Sequence, residues 1–242
     1  MVRAGPADLA RRAAAHVVLD DLSAPALLDD DVRHLRSVLR LRPGEAVSGT
    51  DGLGGFRMFS WTGGGALDPS GEVVHLERAA PSLCVGFAPV KGDRNDWAVQ
   101  KLAELGIDRI VLLRADRGVV RWNDPRAQSQ VGRLRRIARQ AVMQSRGVWL
   151  PSVEGMVDVQ SAAGGDGVEG VALADPDGAG LSERVTTVLV GPEGGWSEEE
   201  WGSFGAGAVR VGGGVLRTES AAVAAGVLMT AIRAGLVSPA VK

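Results

Sequence analysis

The 242-residue chain has one cysteine, Cys84, three histidines, and three lysines, Lys91, Lys101 and Lys242. A single cysteine permits no intramolecular disulfide and fits a reducing compartment. His16, His34, His75 and Cys84 lack metal-ligand spacing, so no metal site is expected. No apolar run reaches the ~20 residues that a spanning helix needs. The longest, Ala221–Met229 with Ala231 and Ile232, stops at Arg233. Arg3, Arg11 and Arg12 precede no apolar signal-peptide core, so a cytoplasmic protein without membrane contact is expected. No GxxxxGK[ST] loop and no GxSxG elbow occur, which leaves a P-loop NTPase and a serine hydrolase of that type unsupported. The glycines show no three-residue period, which excludes a collagen-like chain.

Hydrophobic residues make up 45% and charged residues 23%, the balance of a folded globular protein. The 29 acidic and 27 basic side chains leave a net charge of −2, but they are unevenly placed. Residues 1–90 carry net −2, residues 91–150 net +7, and residues 151–242 net −7. Arginine supplies 24 of the cations, a ratio to lysine that a GC-rich coding bias explains. The bias does not explain clustering, which is the electrostatic footprint of a polyanion site. Residues 109–146 hold ten arginines and only Asp116 and Asp124 as acids.

Residues 16–78 read as short strands broken by turn residues: His16–Leu19, Phe56–Trp61 and Glu72–Glu77. A short helix starting at Asp29-Asp30-Asp31 lies between the first two. Ala79-Ala80-Pro81-Ser82 reads as a linker. From residue 83 strands and helices alternate, implying a mostly parallel α/β sheet. Strands are expected at Leu83–Val90, Ile107–Leu113, Val171–Ala174, Val185–Val190 and Ala208–Val211. Asp93 is expected to cap a helix to Leu105, and Asn123-Asp124-Pro125 to open one reaching about Arg146. Ser197–Phe204 and a Thr218-capped helix to about Ala234 follow.

Gly165-Asp-Gly167-Val-Glu-Gly170 matches the dinucleotide pattern GxGxxG but precedes a strand instead of following one, so it reads as a loop. Leu189-Val-Gly-Pro-Glu-Gly-Gly-Trp-Ser197 is more informative. A buried strand runs into a turn poor in side chains and then into a helix whose Ser197 and Glu200 have capping-box spacing. Val209-Arg-Val-Gly-Gly-Gly-Val-Leu-Arg-Thr-Glu-Ser220 repeats that order. Two glycine turns of this kind suit a small ligand bound through main-chain groups, with Arg217 and Glu219 at the rim. Arg133, Arg136 and Gln140 share one face of the long helix, and Arg135, Arg139 and Arg146 the neighbouring one. Arg114, Arg117 and Arg121 precede it beside Trp122, which offers a stacking surface for a base.

The segments Lys91-Gly-Asp-Arg94, Arg117-Gly-Val-Val-Arg-Trp122, Arg136-Ile-Ala-Arg-Gln140, Val190-Gly-Pro-Glu-Gly-Gly195 and Val211-Gly-Gly-Gly-Val-Leu-Arg-Thr-Glu219 occur in collinear order. Together they resemble the RsmE family of small-subunit ribosomal RNA uracil-N3 methyltransferases, within the SPOUT superfamily. The resemblance runs from about residue 34 to 230. It implies an α/β fold: a SPOUT-type knotted parallel sheet with helices on both faces, plus a small N-terminal PUA-like β-barrel. Residues 1–80 would form the RNA-binding barrel, and residues 81–242 the methyltransferase domain with a C-terminal trefoil knot. S-adenosyl-L-methionine is the implied cofactor. It would contact Leu173, Ala174 and Pro176, then Val190, Gly191, Glu193, Gly194, Gly195 and Trp196, then Val211, Gly212, Val215 and Leu216. The implied partners are small-subunit rRNA within the assembled 30S subunit and a second copy of the chain. Departures from the family pattern are Gly214 for a basic residue, Ser220 for threonine, and Asp116-Arg117-Gly118 for Glu-Arg-Ser.

N3 of uracil carries a proton, so methylation there needs proton removal and stabilisation of the ring anion. Arg217 is expected to stabilise that anion, with Glu219 or Glu193 as base or orienting group. Arg94, Arg117, Arg121, Arg136 and Arg139 are expected to hold phosphates. The alternatives are a non-catalytic RNA-binding protein and a sister enzyme methylating ribose or another base.

Overall fold

The computed structural model describes residues 5–164, 169–204 and 207–238. Gly165–Val168, the first part of the rejected glycine pattern, lie outside the described residues. The chain divides into two compact units, Met1–Arg78 with Arg139–Leu150, and Ala79–Ala138 with Pro151–Lys242.

In the first unit, α1 (Pro6–Arg12) starts with proline in its first turn, where a missing N–H costs nothing. β1 (Ala15–Val18) follows, then α2 (Asp29–Arg33), whose first turn holds three aspartates against the positive end of its dipole. One π-helical turn, His34–Val38, continues α2. β2 (Ala46–Thr50), β3 (Gly55–Trp61), β4 (Leu67–Pro69) and β5 (Val74–His75) complete the unit. The sheet order is β1-β2-β3-β4, with β5 also on β3; β1 runs parallel to β2 and the other pairs are antiparallel. Val17, Leu19, Leu35, Val47, Phe59 and Trp61 form its core. The strand expected over Glu72–Glu77 shrinks to Val74–His75, both exposed, because its alternation faces no core.

Between β1 and the segment Arg139–Leu150 lies a buried imidazole. The Gly147 carbonyl can only accept, so His16 Nε2 carries the proton and donates to it at 2.9 Å. Nδ1 then accepts the Ser48 hydroxyl at 2.8 Å. Burial holds the His16 pKa down at about 4, helped by the Arg146 charge and opposed by the Gly147 bond. Because the unfolded chain binds the proton first, stability falls as pH drops through the window from 6.5 to about 4. The loss is about 3 kcal/mol at completion. Urea unfolding of wild type and His16→Asn at pH 7 and pH 4.5 checks it: the variant should lose most of this pH dependence.

The second unit contains β6 (Cys84–Phe87), α3 (Arg94–Glu104), β7 (Arg109–Arg114), the long helix α4 (Asp124–Ser145), β8 (Ser152–Asp158) and α5 (Val159–Ala163). It ends with β9 (Val171–Gly180), β10 (Thr187–Val190), α6 (Glu198–Phe204), β11 (Gly207–Arg210) and α7 (Thr218–Arg233). The last residues of α4 belong to the first unit. All six strands are parallel in the order β11-β9-β10-β6-β7-β8. Parallel strands covered on both faces read as continuous apolar runs, which is why β6, β7 and β10 are legible in sequence. Val85, Phe87, Ile110, Leu112 and Leu189 are fully buried in them, as is Leu173 in β9.

Ion pairs fasten the edges. Arg109 donates twice to Glu154 across β7 and β8, at 2.7 and 2.8 Å, and holds that carboxyl below its ordinary range. Arg233 of α7, itself half-buried, donates at 2.6 Å to the buried Asp108. Two capping expectations change. Asp93 makes no side-chain cap bond; the buried Asn95 amide instead bonds both backbone groups of Val90. Arg217, not Thr218, occupies the N-cap position of α7, because the Thr218 hydroxyl donates to the Gly191 carbonyl at 3.0 Å. Among the described residues no helix is long and apolar enough to cross a membrane.

Candidate active site

Open parallel sheets bind ligands at the carboxyl ends of their strands. In the second unit a cavity of about 380 Å³ lies there, beyond β9, β10 and β11. Its size is within the ~300–1,000 Å³ of small-molecule sites. Three chain segments build it. Ala174, Asp175 and Pro176 come from β9; Val190–Glu193, Gly195 and Trp196 come from the turn after β10. Val211, Gly212, Gly214, Val215, Leu216 and Arg217 come from the turn after β11, and Thr218 and Ala221 from α7.

The turn after β10 is shaped by its residues. Gly195 sits at φ +71°, a conformation that side chains disfavour, and its N–H closes the turn on the Pro192 carbonyl at 2.9 Å. Gly191 lies under the Trp196 ring so closely that a Cβ there would come within 3.0 Å of it. Trp196 is itself buried, and its indole N–H donates to the Ala174 carbonyl at 3.4 Å. Behind the turn, Ser197 and Glu200 form the expected capping box: Ser197 N–H donates to Glu200 at 2.7 Å and Glu200 N–H to Ser197 at 3.1 Å. Glu200 also accepts the Asp116 N–H at 3.0 Å, and the Ser197 hydroxyl donates to Asp116 at 2.5 Å.

Most of the expected cofactor contacts line the cavity, namely Ala174, Pro176, Val190, Gly191, Glu193, Gly195, Trp196, Val211, Gly212, Val215 and Leu216. Leu173 does not; it is fully buried in β9. Gly194 does not either, because it faces Arg117, whose guanidinium donates to its carbonyl at 3.2 Å. Thr218 and Ala221 were not anticipated. The threonine after a glycine run looks like a cap, and only the fold shows its hydroxyl reaching Gly191.

The expected catalytic residues separate. Arg217 is exposed and lines the cavity, and so does Glu193. Glu219 does not line it. Its carboxylate is buried in the first turn of α7, with Oε1 accepting from Arg94 at 3.0 Å and Oε2 without a hydrogen-bond partner among the described residues. Arg94 also lies 3.8 Å from Glu193, so one guanidinium bridges the two acids.

The basic cluster proves to be largely paired. Arg133 contacts Asp96, Arg135 donates to the Val153 carbonyl, and Arg146 holds the Ala10 and Ala13 carbonyls. Within the first unit Arg139 donates to both oxygens of Asp31, at 3.1 and 2.5 Å, and to the Val18 carbonyl at 2.8 Å. Arg121 and Arg136 are exposed and carry no ion pair among the described residues. Nor does any group of three His, Cys, Asp or Glu among these residues have the arrangement of a metal site.

Residues 78–230 match the RNA methyltransferase domain family. The ribosomal RNA small subunit methyltransferase E of Mycobacterium bovis is 31% identical over 228 residues, covering 86% of each chain. Among solved structures, the ribosomal RNA small subunit methyltransferase E of Neisseria gonorrhoeae bound to S-adenosyl methionine is 26% identical. It matches with a TM-score of 0.73 over 90% of this chain and 97% of that one. A Porphyromonas gingivalis chain, 24% identical, shares the fold with a TM-score of 0.75 over 92% of this chain and all of that one.

Proposed function

The chain belongs to the RsmE family of ribosomal RNA methyltransferases, and on that premise we propose that it transfers a methyl group from S-adenosyl-L-methionine to N3 of a uridine in small-subunit rRNA. The observation that carries this reading is the cavity itself. Its wall includes two glycine turns, with Gly191 pressed on Trp196, and the guanidinium of Arg217, without an ion pair among the described residues, opens onto it. That donor set fits the cofactor: apolar and aromatic surface for its adenine, and turn N–H and carbonyl groups for its polar edges. When bound, S-adenosyl-L-methionine supplies an electrophilic methyl on a sulfonium that departs as a neutral thioether and needs no acid.

The chain's own residues do the rest. The uracil N3 proton passes to a carboxylate at the cavity; of the two acids lining it, Asp175 and Glu193, we assign that role to Glu193, which Arg94 and Glu219 support. The negative charge left on the ring sits against Arg217, and the N3 lone pair forms the new bond to carbon. Glu219 acts through Arg94, holding that guanidinium where it also meets Glu193. Arg117, Arg121 and Arg136 hold RNA phosphates, and the N-terminal unit is a PUA-like RNA-binding module. The β11-β9-β10 strand order supports a trefoil knot at the cofactor site. Exposed Val227, Leu236 and Val237 support a homodimer; its substrate in this reading is the assembled 30S subunit in the cytoplasm.

Gly191→Ala should weaken cofactor binding. A Cβ placed 3.0–3.3 Å from the Trp196 ring pushes the indole into the cavity or the core. Overpacking of this kind costs about 1–3 kcal/mol, or roughly 5- to 150-fold in Kd by calorimetry. For the reaction itself, unmodified small subunits are incubated with labelled cofactor and the labelled nucleoside is mapped by mass spectrometry. Label on uridine N3 is expected; no label in RNA, or label on a ribose 2′-hydroxyl, would falsify the assignment.

A further inference from the structure

The same sheet has a second hollow, of about 370 Å³, at the carboxyl ends of β6, β7 and β8, beside the cofactor cavity at the ends of β9, β10 and β11. We propose that this hollow is a subsite for the base of a nucleotide neighbouring the methylated one, with Trp122 as its stacking surface and Arg121 and Arg114 at the flanking phosphates. The inference rests on the RNA methylation reading above.

Four observations carry it. Half-buried Trp122 lines the hollow, so its ring offers surface there while its body is held. Among the described residues Arg121, exposed and without an ion pair, stands next to it, and Arg114 pairs with exposed Asp158, at 3.6 Å. Such an exposed pair is weak and yields readily to a phosphate. The floor is built by a device seen at functional sites: the β7–β8 register slips after Val111, and Met156 is held at φ +50°, so a non-glycine side chain is re-aimed into the hollow. Finally, the loop walling this hollow is fastened to the turn walling the first. Asp116 bonds Ser197 and Glu200, and Arg117 bonds the Gly194 carbonyl. Two nucleotides splayed from one strand would therefore occupy sites held in fixed relation, which is how single-stranded RNA is read by stacking. The carboxylates of Asp116 and Asp158 at the rim accept hydrogen bonds, which suits a base bearing an exocyclic amine.

The test uses full-length protein, labelled cofactor and unmodified small subunits. Trp122→Ala should raise KM for the subunit about 5- to 150-fold, the range of one lost base stack. Turnover at saturating subunit and cofactor affinity by calorimetry should stay at wild-type values, and Trp122→Phe should recover most of the KM. Arg121→Ala, at an exposed position, should raise KM in the same direction with turnover unchanged. A KM rise below fivefold in Trp122→Ala overturns the subsite. So does a parallel loss of turnover and cofactor affinity, which a structural role would produce, or failure of phenylalanine to recover KM. If wild-type protein places no label in the subunit, the methylation reading has failed, a result distinct from any of these.

Discussion

Arg217→Ala should lower turnover by about 10²–10³-fold, the cost of removing one preorganised donor from a developing anion. Cofactor affinity should change little. Arg217 sits at the N-cap of α7 but its side chain makes no capping bond, so truncation removes no helix contact. It is exposed at the cavity rim and pairs with no carboxylate among the described residues. An exposed, unpaired guanidinium at a cavity rim keeps its hydration and stays available to an anion, and the uracil anion is that group in the proposed reaction. The split between turnover and binding is the decisive reading. Single-turnover rates at saturating cofactor and subunit give the first, and calorimetry gives the second. Equal losses in both would place Arg217 among the cofactor contacts instead. Arg217→Lys keeps the charge but not the planar fork, so it should recover part of the rate and not all of it.

Glu193 and Glu219 show how far local pattern reaches. From the residues alone the two acids are equivalent, since each stands beside a helix N-terminus where negative charge is favoured. The fold separates them: Glu193 opens on the cavity, whereas Glu219 is buried against Arg94. The strand–glycine–helix junctions around 191 and 212 were legible because turn, cap and strand are chemistry among neighbours in sequence. β8 and α5 were not, because Gly155 and Met156 interrupt the strand's pattern and the helix spans only Val159–Ala163. The membership of Arg139–Leu150 in the first unit was equally hidden, because α4 runs across the division without a break in its periodicity. Arginine clustering misled for a related reason. It reports charge along the chain, while Arg133, Arg135, Arg139 and Arg146 are spent on partners remote in sequence.

Arg139 gives the sharpest consequence. The sequence places it among the phosphate ligands, yet its guanidinium meets Asp31, 108 positions away, through two bonds and reaches the Val18 carbonyl with a third. The pair is largely buried, with side-chain exposures of 20% and 8%. Truncating one member of such a pair strands the other charge away from water, at about 3–5 kcal/mol. Arg139→Ala should therefore lower the unfolding free energy of the first unit by that amount, read as a lower urea midpoint at unchanged slope, as should Asp31→Ala. The double variant should lose less than the sum, because no charge is left behind. RNA affinity, measured under conditions where the variant stays folded, should keep its wild-type salt dependence. By contrast, Arg136→Ala, exposed on the same helix, should leave the midpoint unchanged and reduce the salt slope of RNA binding by about one. If Arg139→Ala instead unfolds like wild type and flattens the salt slope, its guanidinium leaves Asp31 for phosphate when RNA binds, and the pair is a latch, not a staple.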